Sequence, residues 1–408
     1  MKPKTFMLIA GEASGDLLAA ELVGALRQHV VAESSDSTAD VQPLRTALAP
    51  RFFGAGGPKM AAAGVELAFD LTQHSVIGIS EVLTKYLKFR RLFNQLLKLA
   101  IERQPDVIIG VDYGGFNLRL GRAIRRFVRA HQNQFNNWHP KIVQFVSPQV
   151  WASRPGRAYQ LQDDYDLILS IFPFEKDWYA KRTPKLRVEF VGHPMVGRFA
   201  IDDSRFTRAQ TEISSIANRK SQILLLPGSR ADEVRRHWPV VTGTFALLRR
   251  ELPQLRGKMI MPSDELAQSV KQLGVPDGLE LQVGGLTAAL AEADLAITKS
   301  GTITMECALF GVPAVVFYKT SWPTYLIGRQ IVSIKYLAMP NLLADAPIFH
   351  EFIQHEATPE NISRAALALL KNPARRQEIQ AKLKKIVTSL GGPGASQRAA
   401  AAVMRLLD

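Results

Sequence analysis

Residues 107–130, VIIGVDYGGFNLRLGRAIRRFVRA, read as one β-strand running into one α-helix. The run Val107–Val111 contains no polar residue, as expected of a strand buried on both faces, and beyond it apolar residues recur at helical spacing. The same succession appears upstream in FMLIA (6–10) followed by LLAAELVGALRQ, and downstream in KIVQFV (141–146), DLILSI (166–171) and VEFVG (188–192). It restarts near residue 220 with ILLLP (223–227), KMIMP (258–262), LELQV (279–283), LAITK (295–299) and AVVFY (314–318). Alternating strands and helices predict an α/β fold with parallel sheets covered on both faces.

The 408 residues exceed what one hydrophobic core supports, which stops growing near ~250–300 residues. The expected fold is therefore two Rossmann-like domains facing a central cleft, with domain 1 over 1–195, domain 2 over 196–385 and a C-terminal helix over 386–408. A polar stretch, Gly197–Gln222, reads as linker plus entry helix, and 31–50 as an inserted surface loop between a helix and the strand RFFGAG (51–56).

The chain is 47% hydrophobic and 22% charged, which excludes collagen-like, disulfide-scaffold and disordered classes. Lys plus Arg number 51 against 37 Asp plus Glu, a net charge of +14 that favours an anionic partner: nucleic acid, a phosphorylated ligand or an acidic membrane surface. Aromatics are not interleaved with the basic residues as in RNA-binding sheets, so nucleic acid is not expected. One cysteine, Cys307, excludes an intramolecular disulfide and suits a reducing compartment, the cytoplasm. The first apolar run breaks into an acidic glycine loop where a signal peptide would carry its cleavage site, and no run approaches the ~18 apolar residues of a membrane span. The histidines, His74, His139 and His193 among them, lack zinc-ligand spacing, and no metal site or cofactor is expected.

In open α/β sheets ligands sit where strands end and helices begin. Gly11-Glu12-Ala13-Ser14-Gly15-Asp16 is such a loop, but it is neither a dinucleotide fingerprint nor a phosphate-binding loop of an NTPase. Its ordinary reading is a tight turn with Ser14 or Asp16 as N-cap. Leu226-Pro227-Gly228-Ser229-Arg230 suits a diphosphate better: the glycine admits close approach and Arg230 offers a planar fork. Ser300-Gly301-Thr302 follows another strand and leads into a helix that places Glu306 within reach of ribose hydroxyls. Either loop alone is compatible with ordinary turn chemistry; two in one half point to a nucleotide diphosphate.

GEASGD (11–16), GGPKM (56–60), VIGISEVL (76–83), VD (111–112) with FN (116–117), VSPQVWASRPGR (146–157), FPFEK (172–176), FVGHP (190–194), LLPGSR (225–230), SGT (300–302) with Glu306, and PNLLAD (340–345) stand in one order. In that order the chain resembles the lipid-A-disaccharide synthase family, glycosyltransferases of the GT-B type, from Gly11 to about Gln354. The resemblance implies an inverting, metal-free transfer from UDP-2,3-diacylglucosamine to the 6-hydroxyl of 2,3-diacylglucosamine 1-phosphate, giving a β-1,6-linked disaccharide phosphate and UDP. A UDP-N-acetylglucosamine 2-epimerase or another GT-B enzyme would share the nucleotide half; GEASGD, VIGISEVL and VSPQVWA set the synthase apart.

An inverting transfer needs a base for the acceptor hydroxyl and positive charge at the departing UDP. The resemblance puts the base on Asp112, with Asn117 as its supporting partner, and an essential arginine on Arg230. Glu12, Ser14 and Gly15 fall on the acceptor side. Gly228, Ser229, Ser300, Gly301, Thr302, Glu306, Asn341, Gln354 and His193 fall on the donor side, and Lys299 adds charge at the phosphates. The segment after Asp112 departs from many relatives: Tyr113-Gly114-Gly115-Phe116-Asn117 lacks a second carboxylate, leaving Glu12 or His193 as alternative bases. His350 likewise stands where relatives carry proline or a basic residue.

Residues 82–103, VLTKYLKFRRLFNQLLKLAIER, are a basic amphipathic helix, either an ordinary scaffold helix or a membrane-surface one. Acylated substrates imply the second, with Lys88, Phe89, Arg90 and Arg91 facing the inner leaflet of the cytoplasmic membrane. A homodimer is implied by the resemblance alone.

Overall fold

The structure, a computed structural model, describes residues 3–33, 49–74, 82–198, 221–331 and 334–407. It divides into two compact units, Met1–Gly197 with Gly391–Asp408, and Arg198–Leu390.

In the first unit seven strands, β1 (Thr5–Ala10), β2 (Arg51–Gly56), β3 (Glu66–Asp70), β4 (Val107–Val111), β5 (Lys141–Phe145), β6 (Leu167–Ser170) and β7 (Val188–Phe190), pair in the order β3-β2-β1-β4-β5-β6-β7. Every pairing is parallel. Strand succession reverses between β1 and β4, whose register sets Ile9 against Gly110 and Ala10 against Val111. Helices cover both faces, so no residue from Phe6 to Ala10 is more than 1% exposed. Helix Gly114–His131 buries Leu118, Ile124 and Val128 and turns its arginines outward.

The second unit repeats the logic with β8 (Gln222–Leu226), β9 (Arg256–Met261), β10 (Leu279–Val283), β11 (Leu295–Lys299), β12 (Ala314–Tyr318) and β13 (His350–Ile353), all parallel in the order β10-β9-β8-β11-β12-β13. Here the reversal lies between β8 and β11, with Thr298 level with Leu226.

β3 and β13 have no counterpart in the strand pattern read from the sequence. Both are edge strands with largely half-exposed residues, so neither shows the unbroken apolar run of a central strand. The C-terminal segment also differs from a single helix over 386–408. Helix Pro373–Ser389 belongs to the second unit, and after a glycine-rich turn helix Ala395–Met404 packs on helix Ala13–Glu33 of the first. Most of the 31–50 insertion, most of the 197–222 linker and nearly all of VIGISEVL lie outside the described residues.

Candidate active site

In the first unit the reversal of strand order puts Gly11, after β1, beside Asp112, after β4. Asp112 and Tyr113 have φ of 52° and 47°, two successive left-handed residues that are not glycine. Each costs on the order of 1–2 kcal/mol, so the surroundings must impose the conformation. The Asp112 N–H donates to the Phe145 carbonyl at 2.6 Å, and the Asp112 carbonyl accepts from Asn117 Nδ2 at 2.9 Å and Gln144 Nε2 at 2.8 Å. The Asn117 N–H donates to the Tyr113 carbonyl at 3.1 Å.

Two glycines make room for this turn. A Cβ at Gly11 would lie 2.3 Å from the Tyr113 ring, and one at Gly110 would lie 2.7 Å from Gln144 Oε1. At Gly15 the helix can approach until a Cβ would be 3.5 Å from that of Asp112. The Asp112 carboxylate accepts from the Tyr113 N–H and the Ser14 hydroxyl. Burial is the larger influence and lifts its pKa above the ordinary aspartate range. Glu12 is exposed beside it, and its charge adds to burial in raising the Tyr113 hydroxyl pKa.

Asp16 does not cap its own helix. Its carboxylate accepts from the N–H groups of Gly57, Lys59 and Met60 at 2.8, 2.9 and 3.0 Å, closing the N-terminus of helix Pro58–Ala62. GEASGD and GGPKM are thus one structural device.

In the second unit the reversal of strand order opens a cavity of about 440 Å³. Gly228, Ser229, Lys299, Thr302 and Glu306 supply its polar lining, while Ile260, Met261, Pro262 and Leu286 make an apolar side. Lys299 Nζ stands 3.3 Å from Glu233 Oε2, and Arg230 Nη1 stands 3.8 Å from Glu233 Oε1. Gly228 has φ 139°, and a Cβ there would lie 2.8 Å from Glu233 Oε2. Two cations therefore converge on one carboxylate beside a loop only glycine fits. Glu306 is half-buried, and burial alone raises its pKa.

A family model described as lipid-A-disaccharide synthetase matches residues 6–406. The chain belongs to the lipid-A-disaccharide synthetase family. It is 33% identical to the lipid-A-disaccharide synthase of Syntrophus aciditrophicus, over 100% of this chain and 99% of that one. It is 34% identical to that of Myxococcus xanthus, over 99% and 98%. Among solved structures the fold is similar to the calicheamicin glycosyltransferase CalG4, with TM-score 0.57 and 14% identity over 100% of this chain and 99% of that one. It is also similar to a UDP-GlcNAc 2-epimerase from Neisseria meningitidis bound to UDP-GlcNAc, with TM-score 0.53 and 10% identity over 100% and 99%. Those likenesses establish the fold, the GT-B type.

In this synthetase-family chain the residues expected at the site divide. Asp112, Ser14, Gly15 and Asn117 come together in the first unit with Glu12 alongside. Gly228, Ser229, Thr302, Glu306 and Lys299 line the second-unit cavity, with Gly301 between two of its residues and Arg230 beside the Gly228 loop, its side chain 80% exposed.

Four of the expected residues are engaged by contacts within their own unit. The Asn341 amide is fully buried, donating to the Phe349 carbonyl at 2.8 Å and to Glu351 at 2.7 Å and accepting from the Phe349 N–H at 2.7 Å. Gln354 pairs with both backbone groups of Thr320, at 2.7 and 3.1 Å. The Ser300 hydroxyl donates to the Leu337 carbonyl at 2.9 Å. None of these three residues is among those lining the cavity. Phe89, expected at a membrane, packs inward with its ring centroid 6.5 Å from that of Phe116, whereas Lys88, Arg90 and Arg91 are exposed.

His193 is buried, accepts the Met195 N–H at Nδ1 (3.3 Å) and packs near Phe172, which matches a capped turn. His350 opens the edge strand β13 and is exposed.

Residues not found from the sequence include Gln144, an isolated polar position in a buried strand, and His237, whose ring spans the Pro227 carbonyl at 2.5 Å and the Lys319 carbonyl at 3.1 Å. Gly284 and Gly285, both left-handed, form part of the cavity wall; the Gly-Gly pair directly after β10 was the available signal.

Proposed function

We propose that this chain transfers diacylglucosamine from UDP-2,3-diacylglucosamine to the 6-hydroxyl of 2,3-diacylglucosamine 1-phosphate, with inversion. The bond between the donor anomeric carbon and the UDP oxygen breaks as the acceptor oxygen bonds to that carbon. The hydroxyl proton passes to Asp112, and UDP leaves with the bonding electrons. The products are a β-1,6-linked disaccharide 1-phosphate and UDP.

The observation that carries this reading is the presence, one in each unit, of two strand-end sites with complementary chemistry. One presents a carboxylate whose raised pKa makes it a stronger base than an ordinary aspartate. The other is a cavity with the polar groups a UDP-sugar requires. There the apolar side takes the nucleobase, Glu306 takes ribose hydroxyls, and the Gly228 loop with Arg230 and Lys299 takes the diphosphate. As UDP departs, its growing negative charge competes with Glu233 for these cations, which favours the transition state over the bound donor. This scheme uses no metal and no organic cofactor.

Among the described residues no helix is long and apolar enough to cross a membrane. Acylated substrates nonetheless require a lipid surface, and we place the enzyme at the inner leaflet of the cytoplasmic membrane, with exposed Lys88, Arg90 and Arg91 attracted to anionic headgroups. A homodimer fits the family. Mixing purified protein with the two diacylated substrates and following the lipid product by mass spectrometry tests the function. A disaccharide phosphate formed with release of UDP is expected. Acceptor-independent conversion of UDP-N-acetylglucosamine to its 2-epimer would replace this reading with the epimerase one.

A further inference from the structure

Helix Gly114–His131 begins two residues after Asp112, and its outward face carries Arg119, Arg122 and Arg126 at spacings of three and four, which stacks them on one side. Helix Arg157–Asp164 runs beside it and contributes Arg157 and Gln160. Together with Phe93, Leu118 and Gly115, which follows Asp112 by three positions in the chain, these residues line a cavity of about 430 Å³. No carboxylate lines it.

The arginines are not consumed by the fold. Among the described residues Arg119, Arg126 and Arg157 have no ion pair, and Arg122 has one at the 4.0 Å limit, with Asp164. By contrast the neighbouring Arg125 is held at 2.6 Å by Asp166, and Arg129 donates to the Asp163 carbonyl at 2.7 Å. Burial and then the adjacent Arg154 and Arg119 cations push the Arg157 guanidinium below its ordinary pKa. Four like charges around a concave surface repel one another until an anion enters, and guanidinium forks match phosphate oxygens. The volume lies in the range of small-ligand sites and exceeds what a bare phosphate needs. One wall is apolar, from Phe93 and Leu118, as the face of a sugar or the start of an acyl chain requires.

We propose that this arginine-lined cavity is a lipid-phosphate site that holds the acceptor by its anomeric phosphomonoester and leaves the 6-hydroxyl for Asp112. The inference rests on the transfer reaction proposed above. A pyranose carries its 1-phosphate and its 6-hydroxymethyl group on the two carbons that flank the ring oxygen, so a fixed phosphate also fixes where the 6-hydroxyl can reach, and Gly115 of the cavity lining is three residues from Asp112. Arg119 lies about 6 Å along the helix from Gly115, a separation of the order of one sugar ring.

The test uses the full-length chain and the variants Arg126→Gln, Arg157→Gln and, as a charge-retaining control, Arg157→Lys, each checked for wild-type thermal unfolding. Turnover is measured with the phosphorylated acceptor and with the same diacylglucosamine lacking its phosphate. Each Gln variant is expected to raise KM for the phosphorylated acceptor about tenfold or more, with Arg157→Lys intermediate and UDP affinity unchanged. On the unphosphorylated acceptor variants and wild type should converge, since the contact is missing from both. Equal losses on both acceptors, or no loss on either, overturn the proposal. Weakened binding to phosphatidylglycerol vesicles with unchanged acceptor KM overturns it in favour of a phospholipid headgroup as occupant. If wild type gives no disaccharide from the phosphorylated acceptor, the transfer reaction itself fails, and the inference with it.

Discussion

At Asp112 the site chemistry and backbone strain coincide. In the sequence this residue stands directly after the apolar run Val107–Val111, where the family resemblance puts the base. The sequence did not show what holds the turn: Gln144 lies 32 positions away and meets the Asp112 carbonyl only once β4 and β5 are paired. Because burial raises the Asp112 pKa, the acid limb of the kcat/KM profile should lie above the ordinary aspartate range, with activity rising as pH increases through it. The Ser14 hydroxyl favours the ionised form, so Ser14→Ala should move that limb to higher pH; a limb shifted downward, or unmoved, contradicts the assignment. Glu175 offers a second test, this time of stability. It is fully buried and its pKa is pushed up to about 7, chiefly by burial. The Ser170 hydroxyl lies 2.7 Å from both Glu175 Oε2 and the Phe172 carbonyl but has one proton, so a protonated Glu175 donating to Ser170 satisfies every atom. With the folded pKa above the unfolded one, stability is greatest below about pH 4.5 as far as this group is concerned. It then falls as pH rises, by roughly 3 kcal/mol once pH passes the folded value. Glu175→Gln should remove that fall, melting like wild type at pH 5 and at higher temperature at pH 8. Parallel melting curves would show that Glu175 is not the titrating group.

At the scale of elements, central strands announced themselves and edge strands did not. β1, β4, β8 and β11 are buried over nearly their whole length and carry runs of apolar residues, with β11 ending in Thr298 and Lys299, and these four strands position both candidate sites. β3 and β13 have half-exposed residues and merge with loop composition. Helix Pro58–Ala62 depends on an acceptor supplied from another element, since its own N-cap is Gly57 with no side chain to offer. The three N–H groups bound by Asp16 include those of the second and third helical residues. Asp16→Ala would leave them without partners in a largely buried setting and should destabilise the first unit by roughly 2–4 kcal/mol. Chemical denaturation followed by circular dichroism checks this, and a loss under 1 kcal/mol would mean that another acceptor replaces Asp16. Asp16→Asn, which keeps one oxygen, should lose less.

For the whole molecule, the duplicated α/β pattern made two units legible, whereas the return of the last residues to the first unit was not. Nothing local in ASQRAAAAVM names its partner: helix Ala395–Met404 buries Ala399, Ala400, Ala402 and Val403, and small side chains allow close packing without specifying against what. The structure supplies the tie. Arg398 donates at 2.7 Å to each of three carbonyls, Val191, Gly392 and Pro393, fixing the glycine turn to the end of β7, next to His193. Arg398→Ala should lower the stability of the first unit by roughly 1–3 kcal/mol and leave UDP binding, which we assign to the other unit, unchanged. Unaltered unfolding would show that the alanine face alone holds the segment.

The central claim is that Asp112 removes the acceptor proton while the second unit holds UDP. Asp112→Asn keeps the shape of the side chain and cannot take the proton, so turnover measured as disaccharide phosphate formed should fall about 10²–10⁴-fold. Calorimetric UDP affinity, measured on the same preparation, should match wild type. Near-wild-type turnover in Asp112→Asn would contradict the account and send the proton to Glu12 or His193.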